Sequence, residues 1–249
     1  MKRVRKKTQV EIIKEWDRIA RLRFKQIKEK VDISFNFILL PCVLKLASCG
    51  DFDKVIEIGC GIGFLTKILS KKSKIIVGVD PSLESIKIAK EICKNVPNVK
   101  FVNSTIENYA RTFKKSQFTL GIANMSLMVI PNLKRALKAI YTLLKPNSYL
   151  VFTISHPCFW PFYWKYIFKK WFKYKKEIFI ETPFKISLEK SKFLTTHIHR
   201  PLEFYINTLS EIGFLVDKIS EPMPSGKVER EYPTKWVYPR FLGIRCIRK

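Results

Sequence analysis

The stretch VIEIGCGIGFLTKIL, residues 55–69, limits the possible folds more than any other part of the chain. An apolar, β-branched run, a turn holding Gly59, Gly61 and Gly63, and a helical pattern follow one another without a gap. The glycines permit a tight turn and let a ligand approach the backbone where a Cβ would block it. A strand, a glycine turn and a helix in succession make one unit of an alternating pattern, and the sequence supplies more. KVIEI (54–58), KIIVGV (74–79), NVKFVN (98–103), QFTLGIA (117–123) and YLVFTI (149–154) read as strands. Between them lie helical patterns over 63–71 and 82–93, and a third after Pro131 with Leu133, Ala136, Leu137, Ile140 and Leu144 on one face. This alternation predicts a mostly parallel sheet covered on both sides.

The flanks extend that core. Residues 8–49 read as two helices, the first with Ile12, Trp16, Ile19 and Ala20 on one face. PLEFYINTLSEIG reads as a helix stopped by Gly213, and GFLVDKISEP and FLGIRCIRK as two closing strands, which brings the sheet to seven. At 249 residues the expectation is one domain: a helical cap over 1–49, a core over 50–156, an insertion over 157–199, and the closing helix and strands over 200–249.

Within the insertion, FWPFYWKYIFKKWFKYKK (159–176) carries ten aromatic residues and six lysines. Read as a helix, it places Trp164, Phe168, Trp171 and Phe172 on one side and Lys165, Lys169, Lys173 and Lys176 on another. Stacking rings among cations suit a single-stranded nucleic acid, and the same amphipathic face suits a membrane surface or a lid over an apolar cavity. Its position after the fifth strand favours the lid. The formal charge of +26, from 47 Lys and Arg against 21 Asp and Glu, attracts polyanions or reflects a Lys-rich composition. Six cysteines without a CxxC pair give neither a zinc nor a disulfide pattern, which fits a reducing cytosol. The basic start MKRVRKK leads into a charged helical pattern rather than a leader's apolar segment, and the longest apolar run is too short to span a bilayer.

The chemistry concentrates at two carboxylates. Glu57 ends the first strand just before the glycine turn, where it suits a cationic ligand better than a pyrophosphate. Asp80 ends the second strand, where an acid can accept the hydroxyls of a ribose or simply cap the next helix. Phe64 stands where a dinucleotide fingerprint has its last glycine.

With EIGCGIG, GVDPS, ANMSLMVIPNLKRALKAIYTLLKPNSYLVFTISHPCF and HRPLEFYINTLSEIGFLVDKISEP in this order, the chain resembles the class I S-adenosylmethionine-dependent methyltransferases from about residue 50 onward. The resemblance implies a Rossmann-like, doubly wound α/β fold and S-adenosyl-L-methionine as cofactor. It implies that Glu57, Gly59, Cys60, Gly61 and Gly63 surround the methionine part, Asp80 the ribose, and Pro81 and Ser82 the adenosine. Ser104, Thr105 and Ile106 would meet the adenine, and Asn124 and Met125 the donor methyl. Trp16 and Arg23 would act from the N-terminal helix as a lid and a carboxylate partner.

Two positions depart from the family pattern: Thr119 replaces an acid, and Asn147-Ser148 replaces a Gly-Gly turn. For proton removal His is the natural base, which makes His156 and His199 the candidates. His197 and His199 together offer two metal ligands without an evident third, so no metal is expected. The resulting expectation is methyl transfer to a small molecule at oxygen, nitrogen or carbon. The alternatives are a tRNA or rRNA methyltransferase, without an N-P-P-Y motif, and a cofactor-binding regulator without transfer activity.

Overall fold

The computed structural model describes every residue except 114 and 115. It opens with a two-residue strand, β1 (Lys2–Arg3), and a long helix, α1 (Gln9–Lys28). Thr8 and Glu11 start α1 as a reciprocal pair: the Thr8 hydroxyl accepts the Glu11 N–H, and the Glu11 carboxylate accepts the Thr8 N–H at 2.8 Å. A π-helical turn over Phe35–Leu39 then runs into α2 (Leu40–Ala47). Pro41 has no N–H to close a normal turn, and the Leu40 N–H reaches back five residues to the Phe35 carbonyl.

Next comes the alternation: β2 (Lys54–Ile58), α3 (Phe64–Ser70), β3 (Ile75–Asp80), α4 (Leu83–Ile92), β4 (Val99–Asn103), α5 (Ile106–Ala110), β5 (Phe118–Asn124), α6 (Leu133–Leu143) and β6 (Leu144–Ser155). The chain continues with α7 (Trp160–Tyr163), β7 (Ile178–Lys185), β8 (Lys190–His199), α8 (Leu202–Ile212), β9 (Phe214–Ser220), α9 (Gly226–Glu229) and β10 (Phe241–Arg248). The main sheet has seven strands in the order β4-β3-β2-β5-β6-β10-β9, with β2 to β6 parallel and β10 antiparallel to both of its neighbours. It is the doubly wound, mostly parallel sheet expected from the sequence.

Burial explains why the strands read as apolar runs. Residues 118–123 of β5 are buried on both faces, with Leu120 and Ile122 fully so. One face packs on α5, α6 and α8, where Leu133, Ala136, Leu137, Ile140 and Leu143 are each no more than 1% exposed. The other packs on α2 and α3, with α1 and α4 at its margin. Winding reverses between β2 and β5, so the loops after these two strands splay apart into a crevice at the sheet's C-terminal edge. Both departures from the family pattern are structural. Thr119 Oγ1 donates to the Asp51 carbonyl at 2.7 Å and accepts the Lys54 N–H at 3.0 Å, and Asn147 adopts φ +62° to make its turn.

The insertion corrects the sequence reading. Instead of a continuous amphipathic helix, residues 159–176 form one turn of α7, a 3-10 turn over Tyr166–Phe168 and further turns. Lys165 takes φ +57°, which breaks any helix there. Beyond it, β7 and β8 form a hairpin that pairs with β1 in a second, three-stranded antiparallel sheet. Tyr166, 1% exposed, packs with Trp171 and Phe172 against Ile178 and Ile180 of the hairpin. The six lysines of the segment are exposed.

Candidate active site

The sheet edge, α1, the hairpin and the aromatic segment line a cavity of about 360 Å3. Its floor follows from the glycine turn. Gly59 takes φ +67°, and a Cβ there would lie 2.4 Å from the Ser126 Cβ, so the β2 and β5 loops touch only because Gly59 has no side chain. Gly61 takes φ +52°, and a Cβ there would meet nothing within 4 Å. The loop therefore offers bare backbone to the cavity. Ser126 fastens the contact by donating its hydroxyl to the Ile58 carbonyl at 2.7 Å.

Two carboxylates stand over this floor. Glu57 is 2% exposed, and Thr66 Oγ1 donates to it at 2.5 Å. Burial, reinforced by the nearby Asp80, pushes the Glu57 carboxyl up to about 8 against the opposing Thr66 bond. Asp80 accepts the Gly61 and Ser82 N–H groups, one on each oxygen, both at 2.8 Å. It thereby locks the glycine loop to the start of α4 and keeps lone pairs for a ligand. Burial raises Asp80 to about 6, opposed by these two bonds. The capping role belongs to Ser82, whose hydroxyl accepts the Ser85 N–H at 3.1 Å.

On the β5 side, Asn124 accepts a 2.6 Å bond from Thr153 Oγ1, and Met125 is held at φ +55° by its N–H bond to the Thr153 carbonyl at 3.0 Å. A non-glycine residue held in the left-handed region at a cavity wall is a local strain that its neighbours impose. The wall opposite is a cap. Asp17 of α1 accepts from Ser82 Oγ at 2.7 Å, which ties the helix to the start of α4. Glu15 accepts the Thr196 N–H at 2.7 Å and the Thr196 hydroxyl at 3.0 Å, and Lys7 bridges Glu15 and Glu181 at 2.5 and 2.6 Å. Together these bonds hold α1 against the hairpin.

Of the residues expected to hold the cofactor, Glu57, Gly59, Cys60, Gly61, Asp80, Pro81, Ser82, Ser104, Thr105, Ile106, Asn124, Met125, Trp16 and Arg23 all line this one cavity. Gly63 does not; it caps α3 at φ +78° and packs against Ala89 and Phe101. Arg23 reaches Asp32 at 2.9 Å, so its carboxylate partner is internal.

The histidines divide between the cavity and the layer behind it. His156 and His199 lie behind the cavity wall rather than in it. His156 Nδ1 accepts the Cys158 N–H at 3.2 Å, and its Nε2 meets Glu221 at 2.8 Å, so both nitrogens are occupied. His199 Nε2 meets the Tyr174 carbonyl at 2.9 Å. Burial lowers the pKa of both. His197 is the histidine that lines the cavity, with a buried Nε2 that has no partner among the described residues; burial and then His199 push it down to about 3. Strand alternation puts Thr195, His197 and His199 on one face of β8, which became legible only once the hairpin was known. Arg240, which also lines the cavity, sits in a polar stretch with no sequence signal.

Residues 56–152 match the model of a family described as a methyltransferase domain. A protein from Methanocaldococcus jannaschii, described as uncharacterized, is 34% identical over 145 residues, 58% of this chain and 52% of its own length. A ubiquinone biosynthesis O-methyltransferase from Serratia proteamaculans is 26% identical over 120 residues, 47% of this chain and 49% of its own. The chain thus spans about half the length of these curated relatives. Among solved structures, an S-adenosylmethionine-dependent methyltransferase from Clostridium acetobutylicum superposes with a TM-score of 0.63 at 17% identity, covering 93% of this chain and 98% of that one. Another from Mesorhizobium loti gives 0.60 at 16%, covering 82% and 96%. Both likenesses show the fold. The matched segment runs from β2 to β6 and holds the glycine loop, and the fold is the one these methyltransferase structures share.

Proposed function

We propose that this chain binds S-adenosyl-L-methionine and transfers its methyl group to a small-molecule acceptor at oxygen, nitrogen or carbon, in the cytosol. The observation that carries the reading is the cavity itself. It has a bare glycine floor and two buried carboxylates at one end, and aromatic and hairpin walls at the other. The residues fit the cofactor. Glu57 and Asp80 are buried without a cation near enough to pair, among the described residues, and a cationic ligand with ribose hydroxyls supplies what they lack. Gly61 leaves the space a side chain would fill.

When bound, the cofactor supplies an electrophilic methyl group on a sulfonium. What this chain contributes is placement. Glu57 and the 59–61 loop hold the methionine part, Asp80 the ribose, and Ser104 to Ile106 the base. Asn124 and Met125, fixed by Thr153, form the edge that faces the acceptor. The cap excludes water, so alignment and desolvation carry most of the catalysis. Of the three histidines His197 is the one that faces the acceptor side, and burial, which pushes it down to about 3, keeps its ring neutral there, suited to hydrogen-bond the acceptor rather than to hold its proton.

The ubiquinone O-methyltransferase relatives support a small acceptor. An RNA acceptor is the second reading, favoured by the exposed lysines of the aromatic segment. Incubation of the protein with labelled cofactor and separate small-molecule, RNA and protein fractions decides between them. Label in the small-molecule fraction is expected; label in RNA alone would overturn the first reading. Tight cofactor binding with no transfer to any fraction would favour a regulator.

A further inference from the structure

Arg240 is 4% exposed, yet no carboxylate lies within ion-pair distance of it among the described residues. Its guanidinium carbon lies 4.0 Å from the ring centroid of Tyr163, 4.3 Å from that of Trp236 and 5.5 Å from that of Tyr232. One nitrogen, NH2, donates to the Thr234 carbonyl and hydroxyl and to the Lys235 carbonyl, at 2.9 to 3.2 Å. The Nε–H and the NH1 hydrogens have no acceptor among the described residues, and the side chain lines the cavity. A guanidinium packed against aromatic rings, with one anchored nitrogen and free donors, is pre-organised to receive an oxyanion.

Its position follows from strand register. Phe241 pairs with Ser155, and Asn124 pairs with Thr153, so Arg240 stands at the C-terminal edge of the parallel strands. It is two strands from Asn124 and Met125, roughly 10 Å away. Met125 packs on the Trp236 and Phe241 cluster, so the intervening space is apolar. The charges of the cavity are therefore divided. Glu57 and Asp80 stand at the glycine loop and Arg240 at the far end, with Lys185 on the hairpin wall over the Trp164 ring at 5.8 Å, while the remaining charged lining residues, Arg23 and Asp32, pair with each other at 2.9 Å.

We infer that the far end of the cavity is an anion-binding subsite in which Arg240 holds a carboxylate or phosphoryl group of the methyl acceptor, whose apolar body lies between Arg240 and Met125. Only the word acceptor rests on the methyltransferase reading; the anion site stands on the geometry of Arg240.

The test measures binding of 4-hydroxybenzoate, 4-hydroxyphenyl phosphate and the neutral isostere 4-hydroxybenzamide to the full chain, saturated with S-adenosylhomocysteine, by quenching of tryptophan fluorescence. At least one anion is expected to bind about tenfold more tightly than the amide, the gain of a charge-assisted bond. Which anion binds distinguishes carboxylate from phosphoryl. Arg240→Met is expected to abolish the preference and Arg240→Lys to keep part of it, with thermal melting showing that each variant is folded. The wild-type comparison decides even if both variants fail to fold. No anion preference in the wild type, through equal binding or through none, overturns the inference, as does an unchanged preference in folded Arg240→Met. Anion preference without methyl transfer to any cell fraction leaves the subsite standing and rejects the transferase reading. Transfer to neutral acceptors with no anion preference does the reverse.

Discussion

The cavity has a floor and a cap that are built in opposite ways. The floor comes from contiguous sequence: residues 57–63 and 80–82 hold the glycine turn, both carboxylates and the helix cap, and Asp80 ties the pieces together through backbone N–H groups. The cap comes from remote segments. Glu15 reaches Thr196, Lys7 reaches Glu181, and Trp160 and Tyr163 meet Phe241 and Arg240 across intervals of tens to nearly two hundred residues. A ligand held by backbone and buried carboxylates needs a fixed floor, whereas the cap depends on contacts between segments far apart in the chain.

The largest expected effect lies in the floor. Gly59→Ala forces a Cβ against Ser126 and strains the backbone, so a stability loss of roughly 3–4 kcal/mol and about 100-fold weaker cofactor binding are expected. Gly61→Ala is the internal control: with open space around it, it costs about 1 kcal/mol in stability while still weakening the cofactor. Denaturant melts and cofactor titrations separate the two, and equal stability losses would break the account of the floor.

In the cap, Glu15→Ala strips the partner from the Thr196 N–H and one partner from Lys7. A loss of about 3 kcal/mol is expected, with faster hydrogen exchange across the hairpin and α1 and little change in β2 and β3. Uniform loss of protection would mean that floor and cap are one unit.

The third effect is a pH dependence. An ordinary glutamate ionises near pH 4.3, whereas folded Glu57 does so at about 8. Between those values the unfolded chain gives up a proton that the folded chain keeps, so stability falls as pH rises and levels off above pH 8. Asp80 adds to the fall up to about pH 6. From pH 6 to 8 the unliganded protein is expected to lose roughly 2 kcal/mol, and Glu57→Gln to lose much less. The smallest effect is at the outer lysines: replacing Lys169, Lys170 and Lys173 together with Gln is expected to change transfer to a small acceptor by less than about twofold. A large loss there would move RNA to first place.

How far the sequence was legible follows the same division. The strand and helix pattern, the two carboxylates and most of the loop residues are local signals, set by periodicity and turn chemistry, and they led to the cavity floor. The hairpin was missed because the aromatic run before it imitates an amphipathic helix. His197 and His199 share one face of β8, so alternation does not separate them; the Tyr174 carbonyl, which meets the His199 ring at 2.9 Å, does. His156 follows a strand end, but Glu221, which meets its Nε2, comes from a remote segment whose approach no local pattern encodes. Arg240 became visible only when three rings from two segments closed around it.

The most direct test of the central claim is calorimetric titration of S-adenosyl-L-methionine into the protein at pH 7, in buffers that differ in ionisation enthalpy. If the cation settles beside Glu57, binding is expected to release close to one proton from the wild type and almost none from Glu57→Gln. Binding without proton release, or no binding at all, would contradict the account.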